Sequence, residues 1–454
     1  MSEPAKEAAL AVLRRLRAAG HEAYFAGGAV RDLLLGEAPH DYDVATSALP
    51  KDVTGLFPGA VAVGAHFGVV IVRVGEVAVE VATFRSDGAY GDGRHPDSVR
   101  FSTAAEDVQR RDFTVNGLLY DPEAQRVLDL VGGQADLGAR LIRCIGDASA
   151  RFGEDHLRLL RAVRFAARLG FRIEEGTWEA LCALAPEVAR VSAERVRDEL
   201  LKMLTGPRPH QALGLLHDSG LLGIILPEVA ALASVEQPPE HHPEGDALVH
   251  TLLVVERLVL PAEAPAWRRE ALALAALLHD VGKAATQVRA PGSPGQGERI
   301  RFPGHPEVGR DMAEKIARRL RLSRAQAELV AALVAEHDQI LQVPAMRRAT
   351  RLRFLRRPHI EELLALHRAD RLAASGDLSL WEACRQELAG LGEETLRPRR
   401  LLDGDAVIAR GVPRGPQVGL ALAALEDAQL EGTVTTREEA EAWLRAFLDP
   451  KEPP

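Results

Sequence analysis

Asp41 and Asp43 stand two residues apart in APHDYDVATSAL, on a predicted strand that carries both. Side chains two apart on a strand leave the same face, so both carboxylates point one way while Tyr42 points the other. That arrangement suits metal binding. Upstream, in AYFAGGAVRDLLLG, the lack of side chains at Gly27 and Gly28 lets backbone N–H groups approach a polyphosphate, and Arg31 follows on the first turn of a short helix with a planar phosphate-binding fork. Downstream, in RRDFTVNGLLYD (110–121), Arg111 suits a triphosphate and Asp112 a ribose hydroxyl. Asp155 and Arg158 lie three apart on a helix predicted over 154–169, hence as neighbours. An Asp accepts from an exocyclic amino group and an Arg donates to a ring nitrogen or carbonyl, so such an edge suits cytosine and adenine over uracil and guanine. Arg161 and Arg164 continue the row toward the triphosphate or the neighbouring base. Taken singly, each of these is also an ordinary turn, cap or ion pair.

A second set of chemically capable residues follows on helical ground: His250, His279 with Asp280, His305, His337 and Asp370. A lone His on an apolar helix is usually a hydrogen-bonded core residue. Spread over several helices, N and O ligands in this order suit one or two divalent transition metals able to lower the pKa of a bound water. Lys283 is placed to contact phosphate; His241 and His242 are left outside the set.

Several elements must position these groups. Apolar spacing over 5–19 (Ala8, Leu10, Val12, Leu13, Leu16) predicts a helix ending at Gly20. Beyond Thr46, the Val-rich runs AVAVGAHFGVVIVRV and GEVAVEVATF predict two or three strands, giving a small mixed sheet. There Val77, Val79 and Val81 share a face and Glu80 takes the other, either as a third carboxylate or facing solvent. RSDGAYGDGRHPDSVRF (85–101) reads as a loop without regular structure. Gly132, Gly133 and Gly138 suggest turns and hinges, and 175–225 reads as all helix, with Ser192 as an N-cap. The Pro, Glu and His cluster at 236–246 marks a boundary.

At 454 residues the chain exceeds one ordinary core and predicts three or four domains. Three scattered Cys and no signal or spanning segment point to the cytoplasm and to no membrane. A net charge of −9 argues against binding nucleic acid through overall basicity, leaving local patches such as MRRATRLRFLRR (346–357), and Arg410 with Arg414 near Pro416, as candidate RNA contacts.

GGxVRDxLLG followed by DxDxxT, then RRDFTxN and EDxxR, resembles the polymerase-beta superfamily signature of bacterial tRNA nucleotidyltransferases and poly(A) polymerases, and the His/Asp series resembles an HD-type phosphohydrolase domain. The resemblance implies an α+β fold: a polymerase-beta-type nucleotidyltransferase head with a small mixed sheet (1–125), a helical neck and body (126–235), an HD-type domain (236–388) and a helical tRNA-binding tail (389–454). It implies template-independent addition of CCA to tRNA 3′ ends, with ATP, CTP and tRNA as partners and the oligomeric state left open. Asp41 and Asp43 would hold Mg2+; Gly27, Gly28, Arg31, Arg111 and Asp112 would bind nucleotide; Asp155, Arg158, Arg161 and Arg164 would select it. Loop 85–101 resembles the segment that lets the family change from C to A addition. Alternatives are an A-adding enzyme or poly(A) polymerase on the same scaffold, or an HD phosphohydrolase whose N-terminal half only binds RNA.

Overall fold

The computed structural model describes residues 2–64, 68–88, 98–238, 240, 242–290 and 299–448. It divides into two compact units, residues 1–230 with 319–321, and residues 231–318 with 322–454.

The first unit is built on a seven-stranded sheet: β1 (Ala23–Ala26), β2 (Asp43–Thr46), β3 (Val61–Gly64), β4 (Val69–Val74), β5 (Val77–Thr83), β6 (Leu119–Asp121) and β7 (Arg126–Leu128). The order is β3-β4-β5-β2-β1-β6-β7. Only β2 and β5 pair in parallel, so the sheet is mixed. The β1–β2 pair is antiparallel. Helix α1 (Ser2–Ala18) buries Val12, Leu13 and Leu16 completely, which is the burial that makes so short a sheet stable. Register sets the chemistry. Ala26 lies opposite Asp43, so the glycine turn after β1 and the acid opening β2 meet at one end of the sheet. Val44 pairs with Val81, which brings Glu80 alongside Asp43.

Helix α2 (Gly28–Leu34) follows the turn. Helix α3 (Ala148–Glu154) leads to Asp155, and α4 (Leu157–Leu169) and α5 (Ala193–Leu204) carry Arg158, Arg161, Arg164 and Arg195. The second unit contains α6 (Ala247–Arg257), α7 (Ala266–Leu278), α8 (His305–Arg319), α9 (Arg324–Glu336) and α10 (Ile360–Ala373). Its C-terminal helices close over Leu402, Val407, Leu425 and Leu444.

Several local expectations change. Asp41 lies before β2 rather than in it and is exposed, while buried Tyr42 packs its ring 5.2 Å from Phe25. The predicted helix 154–169 is broken: Asp155 adopts φ −144°, ψ 104°, and its carboxylate accepts the Leu157 N–H, a local bond that competes with helix continuation. The described ends of 85–101 pair as a short hairpin, Arg85 opposite Phe101 and Asp87 opposite Val99, where a loop was expected; residues 89–97 lie outside the described residues. Gly132 is a turn (φ 78°), but Gly133 and Gly138 are helical. At Gly133 a Cβ would fall 2.3 Å from the Thr114 carbonyl, so close approach rather than hinging requires glycine. Ser192 precedes α5 without a side-chain capping bond.

Candidate functional sites

In the first unit a cavity of about 570 Å³ is lined by Gly27, Gly28, Arg31, Asp43, Glu80, Arg111, Asp112, Asp155, Arg158, Arg161 and Arg164, among others. Its acidic corner is strained electrostatically. Burial, then the charges of Glu80 and Asp41, push the Asp43 carboxyl up to about 7 against the opposing pull of Arg111. Glu80 is raised too, by burial and Asp41. Acids that repel one another without a neutralising partner are what a divalent cation relieves, so these residues fit one. Glu80 lies beside Asp43 and is also solvent-exposed, so it keeps a feature of each of its two readings.

Facing them is a wall of arginines, most already paired. Arg31, 1% exposed, gives Nε and Nη2 to Asp32 and Nη1 to the Asn116 amide oxygen, at 2.6–2.8 Å. Burial lowers its pKa. Arg111 donates to Asp107 and to the Asn116 carbonyl. Gly27, at φ 66°, is the one residue type that makes this turn without strain, and a Cβ there would lie 3.3 Å from Arg111 Nη1.

Asp112 has both oxygens occupied, Oδ1 by the Phe113 N–H and Asn116 Nδ2, Oδ2 by Arg161 at 2.6 and 2.9 Å. In this state it orients Arg161 rather than offering a free acceptor. Arg164 bonds Glu199 at 2.5 Å and lies 4.1 Å above the Phe165 ring, which Arg31 and Arg161 also flank. The Asp155 and Arg158 side chains engage different partners: Asp155 is gripped at both oxygens by Arg195 (3.0 and 2.7 Å), and Arg158 bonds Glu154 and the Arg151 and Arg110 carbonyls. Both nonetheless line the cavity. Sequence reasoning missed Arg195, Glu199 and Phe165. Asn116, within RRDFTVN, carried a signal.

The second unit gathers its predicted set closely. His250 Nε2 lies 3.1 Å from Asp370 and 3.8 Å from Asp280, while His279 Nε2 lies 3.2 Å from Asp280. The other Asp280 oxygen is 3.4 Å from His305 and 3.8 Å from His337. The ligand atoms of His250, His279 and Asp370 lie within 4.8 Å of one another, as do those of Asp280, His305 and His337. Asp280 therefore borders both groups. Burial alone would raise Asp280, but His279 and Lys283 hold it well below the usual carboxylate range, and Asp370 is likewise lowered, with His250 outweighing burial. His250 Nε2 and His279 Nε2 are buried without hydrogen-bond partners, as a divalent-metal site requires of its ligand lone pairs. Lys283 reaches Asp280 at 2.6 Å, and a cavity of about 430 Å³ is lined by His279, Asp280, His305, His337 and Asp370 together with Lys283, Phe302, Asp338 and Arg371.

The candidate RNA patches are largely tied internally. Arg351 bonds Glu387, Arg353 and Arg356 share Glu426, Arg357 bonds Glu336, and Arg410 bonds Glu441.

Residues 23–143 match the family described as "Poly A polymerase head domain", 170–232 "Probable RNA and SrmB- binding site of polymerase A", and 247–375 "HD domain". The chain is 40% identical over 445 residues to the CC-adding tRNA nucleotidyltransferase of Thermus thermophilus, covering 93% of each. It is 48% identical over 230 residues to the CCA-adding enzyme of Geobacillus kaustophilus, covering 50% of this chain and 56% of that one, so it spans little more than half the length of this relative. The crystal structure of the Bacillus stearothermophilus CCA-adding enzyme in complex with CTP superposes with a TM-score of 0.73 at 30% identity, covering 98% of both chains. The Thermotoga maritima CCA-adding enzyme complexed with tRNA shares the fold, with a TM-score of 0.61 at 20% identity over 97% of this chain and 94% of that one. No described helix is long and apolar enough to cross a membrane.

Proposed function

The chain belongs to the tRNA nucleotidyltransferase family that includes the CC- and CCA-adding enzymes, and from that premise we propose that its first unit adds CCA to tRNA 3′ ends from CTP and ATP without a nucleic-acid template. The observation that carries this reading is the polarity of one cavity, with Asp43 and Glu80 repelling one another on one side and stacked, buried arginines on the other. Cations relieve the first side and a triphosphate neutralises the second.

Asp41 and Asp43 would hold Mg2+, with Glu80 beside them, and a metal held there would supply activation of the RNA 3′-hydroxyl and neutralisation of the leaving pyrophosphate. The Gly27–Gly28 backbone and Arg111 hold the triphosphate, while Arg31 contributes fixed positive charge from within the wall. Asp155 and Arg158 read the base edge, with Asp155 held by Arg195. Asp112 keeps Arg161 directed at the nucleotide, and Arg164 lies over Phe165 beside it.

In the second unit, His250, His279, Asp280, His305, His337 and Asp370 would hold one or two divalent transition metals for phosphoester hydrolysis, with Lys283 and Arg371 placed for the anionic substrate.

A second product has a specific observation behind it, since the relative matched along 93% of the chain is a CC-adding enzyme. One assay separates the products: a tRNA lacking its CCA end, incubated with labelled CTP or ATP, separately and together. CCA addition gives two C residues from CTP alone and a terminal A only when both are present. A CC-adding enzyme stops after two C residues whatever ATP is supplied. A poly(A) polymerase incorporates ATP without CTP, and an A-adding enzyme does so on the same tRNA already ending in CC, which is run in parallel. Zero incorporation with Mg2+ would overturn the transferase reading.

A further inference from the structure

Four histidines of the second unit turn one ring nitrogen toward the shared cluster, and each needs its other nitrogen anchored, because an imidazole rotates unless its second nitrogen is held. Three do this with the backbone. His279 and His337 are the C-cap residues of α7 and α9, and their Nδ1 atoms meet the carbonyls of Ala276 and Val334 at 2.9 and 2.8 Å. These carbonyls belong to a last helical turn, where intrahelical partners run out. His305 opens α8 and uses the Phe302 carbonyl just ahead of it, at 3.0 Å.

His250 has no such recourse. It sits inside α6, where the helix's own N–H groups take the preceding carbonyls. Its Nδ1 instead meets the Glu244 carboxylate at 2.6 Å, and the same oxygen meets His242 Nδ1 at 2.9 Å. The Glu244 side chain is only 7% exposed, and both imidazoles meet the same one of its oxygens. A carboxylate acceptor puts the proton on His250 Nδ1 and leaves Nε2, fully buried and unpartnered, as a lone pair facing Asp370 and Asp280.

We infer that Glu244, outside the predicted ligand set and supplied by the turn before α6, is the positioning residue that fixes the tautomer and ring orientation of His250 for metal ligation, with His242 bracing it from the far side. The inference rests on reading this cluster as a metal site.

The test is titration of Co2+ into the metal-stripped full-length chain, following both affinity and the visible ligand-field spectrum, with far-ultraviolet circular dichroism to verify folding. Glu244→Ala weakens binding by about 10- to 100-fold, the range for loss of a carboxylate behind a metal-bound histidine, and alters the spectrum. Glu244→Gln, whose amide oxygen still accepts from Nδ1–H, keeps an intermediate affinity. Wild-type affinity and spectrum in Glu244→Ala overturn the inference, and so does Glu244→Gln binding as weakly as Glu244→Ala, since orientation by an acceptor would then not be what the side chain provides. If the wild-type protein binds no Co2+, the metal reading fails and the inference falls with it.

Discussion

Arg31 illustrates how a residue's type can announce its charge without revealing its commitments. Its fork suits phosphate, yet every donor group is turned to Asp32 or Asn116 and the side chain is fully buried. Removing one partner of a buried charge network leaves the others uncompensated, so Arg31→Ala is expected to lower unfolding free energy by about 3 kcal/mol, measured by urea denaturation. His367 makes a contrasting pH prediction. Buried beside the His/Asp cluster, it has its pKa lowered from 6.5 to about 4, mainly by desolvation. Above pH 6.5 it is neutral in folded and unfolded chains alike and contributes no pH dependence. Between 6.5 and about 4 the unfolded chain takes the proton while the folded one resists it, so stability falls as pH falls, by roughly 3 kcal/mol in all. In metal-free protein, His367→Leu should therefore lose less thermal stability than wild type between pH 7 and pH 4. Parallel melting curves for the two would contradict this.

At the scale of elements, the break between α3 and α4 matters most. The apolar stripe Leu157, Leu160, Val163 reads correctly as one helix face, because periodicity reports burial. It does not report that Asp155 will leave the helix, where its carboxylate takes the Leu157 N–H and is also gripped by Arg195, forty residues away on another element. The sheet shows the same division. The Val-rich runs predict strands, while the register that sets Glu80 beside Asp43 is a tertiary outcome. With Asp155 held at the cavity wall, Asp155→Ala should raise the misincorporation of UTP or GTP relative to CTP by about tenfold, the discrimination one good base contact supplies. Unchanged ratios in a competition assay would remove Asp155 from the base-reading role.

For the whole molecule, the two ligand sets draw on residues of different units. His279→Ala should accordingly abolish bound metal in the second unit and any phosphodiesterase turnover while CTP incorporation continues; equal metal content by elemental analysis would contradict the assignment. Both candidate sites are legible in outline because the first shows acids and arginines at short spacings and the second a series of His and Asp on successive helical segments. Their supporting partners, Arg195, Glu199 and Glu244, are not, because nothing local distinguishes them from solvated surface charges. In the basic patch 346–357 the charge is evident in the sequence, while the glutamates that pair with it come from elsewhere in the fold. The central claim is that the acids at one end of the sheet drive nucleotide transfer, and it is tested most directly by single-turnover incorporation of labelled CTP into tRNA lacking its CCA end, with wild type and Asp43→Ala compared in Mg2+. The account predicts a fall of at least about a hundredfold, the scale of losing one well-placed electrostatic contact, with the melting temperature preserved. Near-normal incorporation by the folded variant would contradict it.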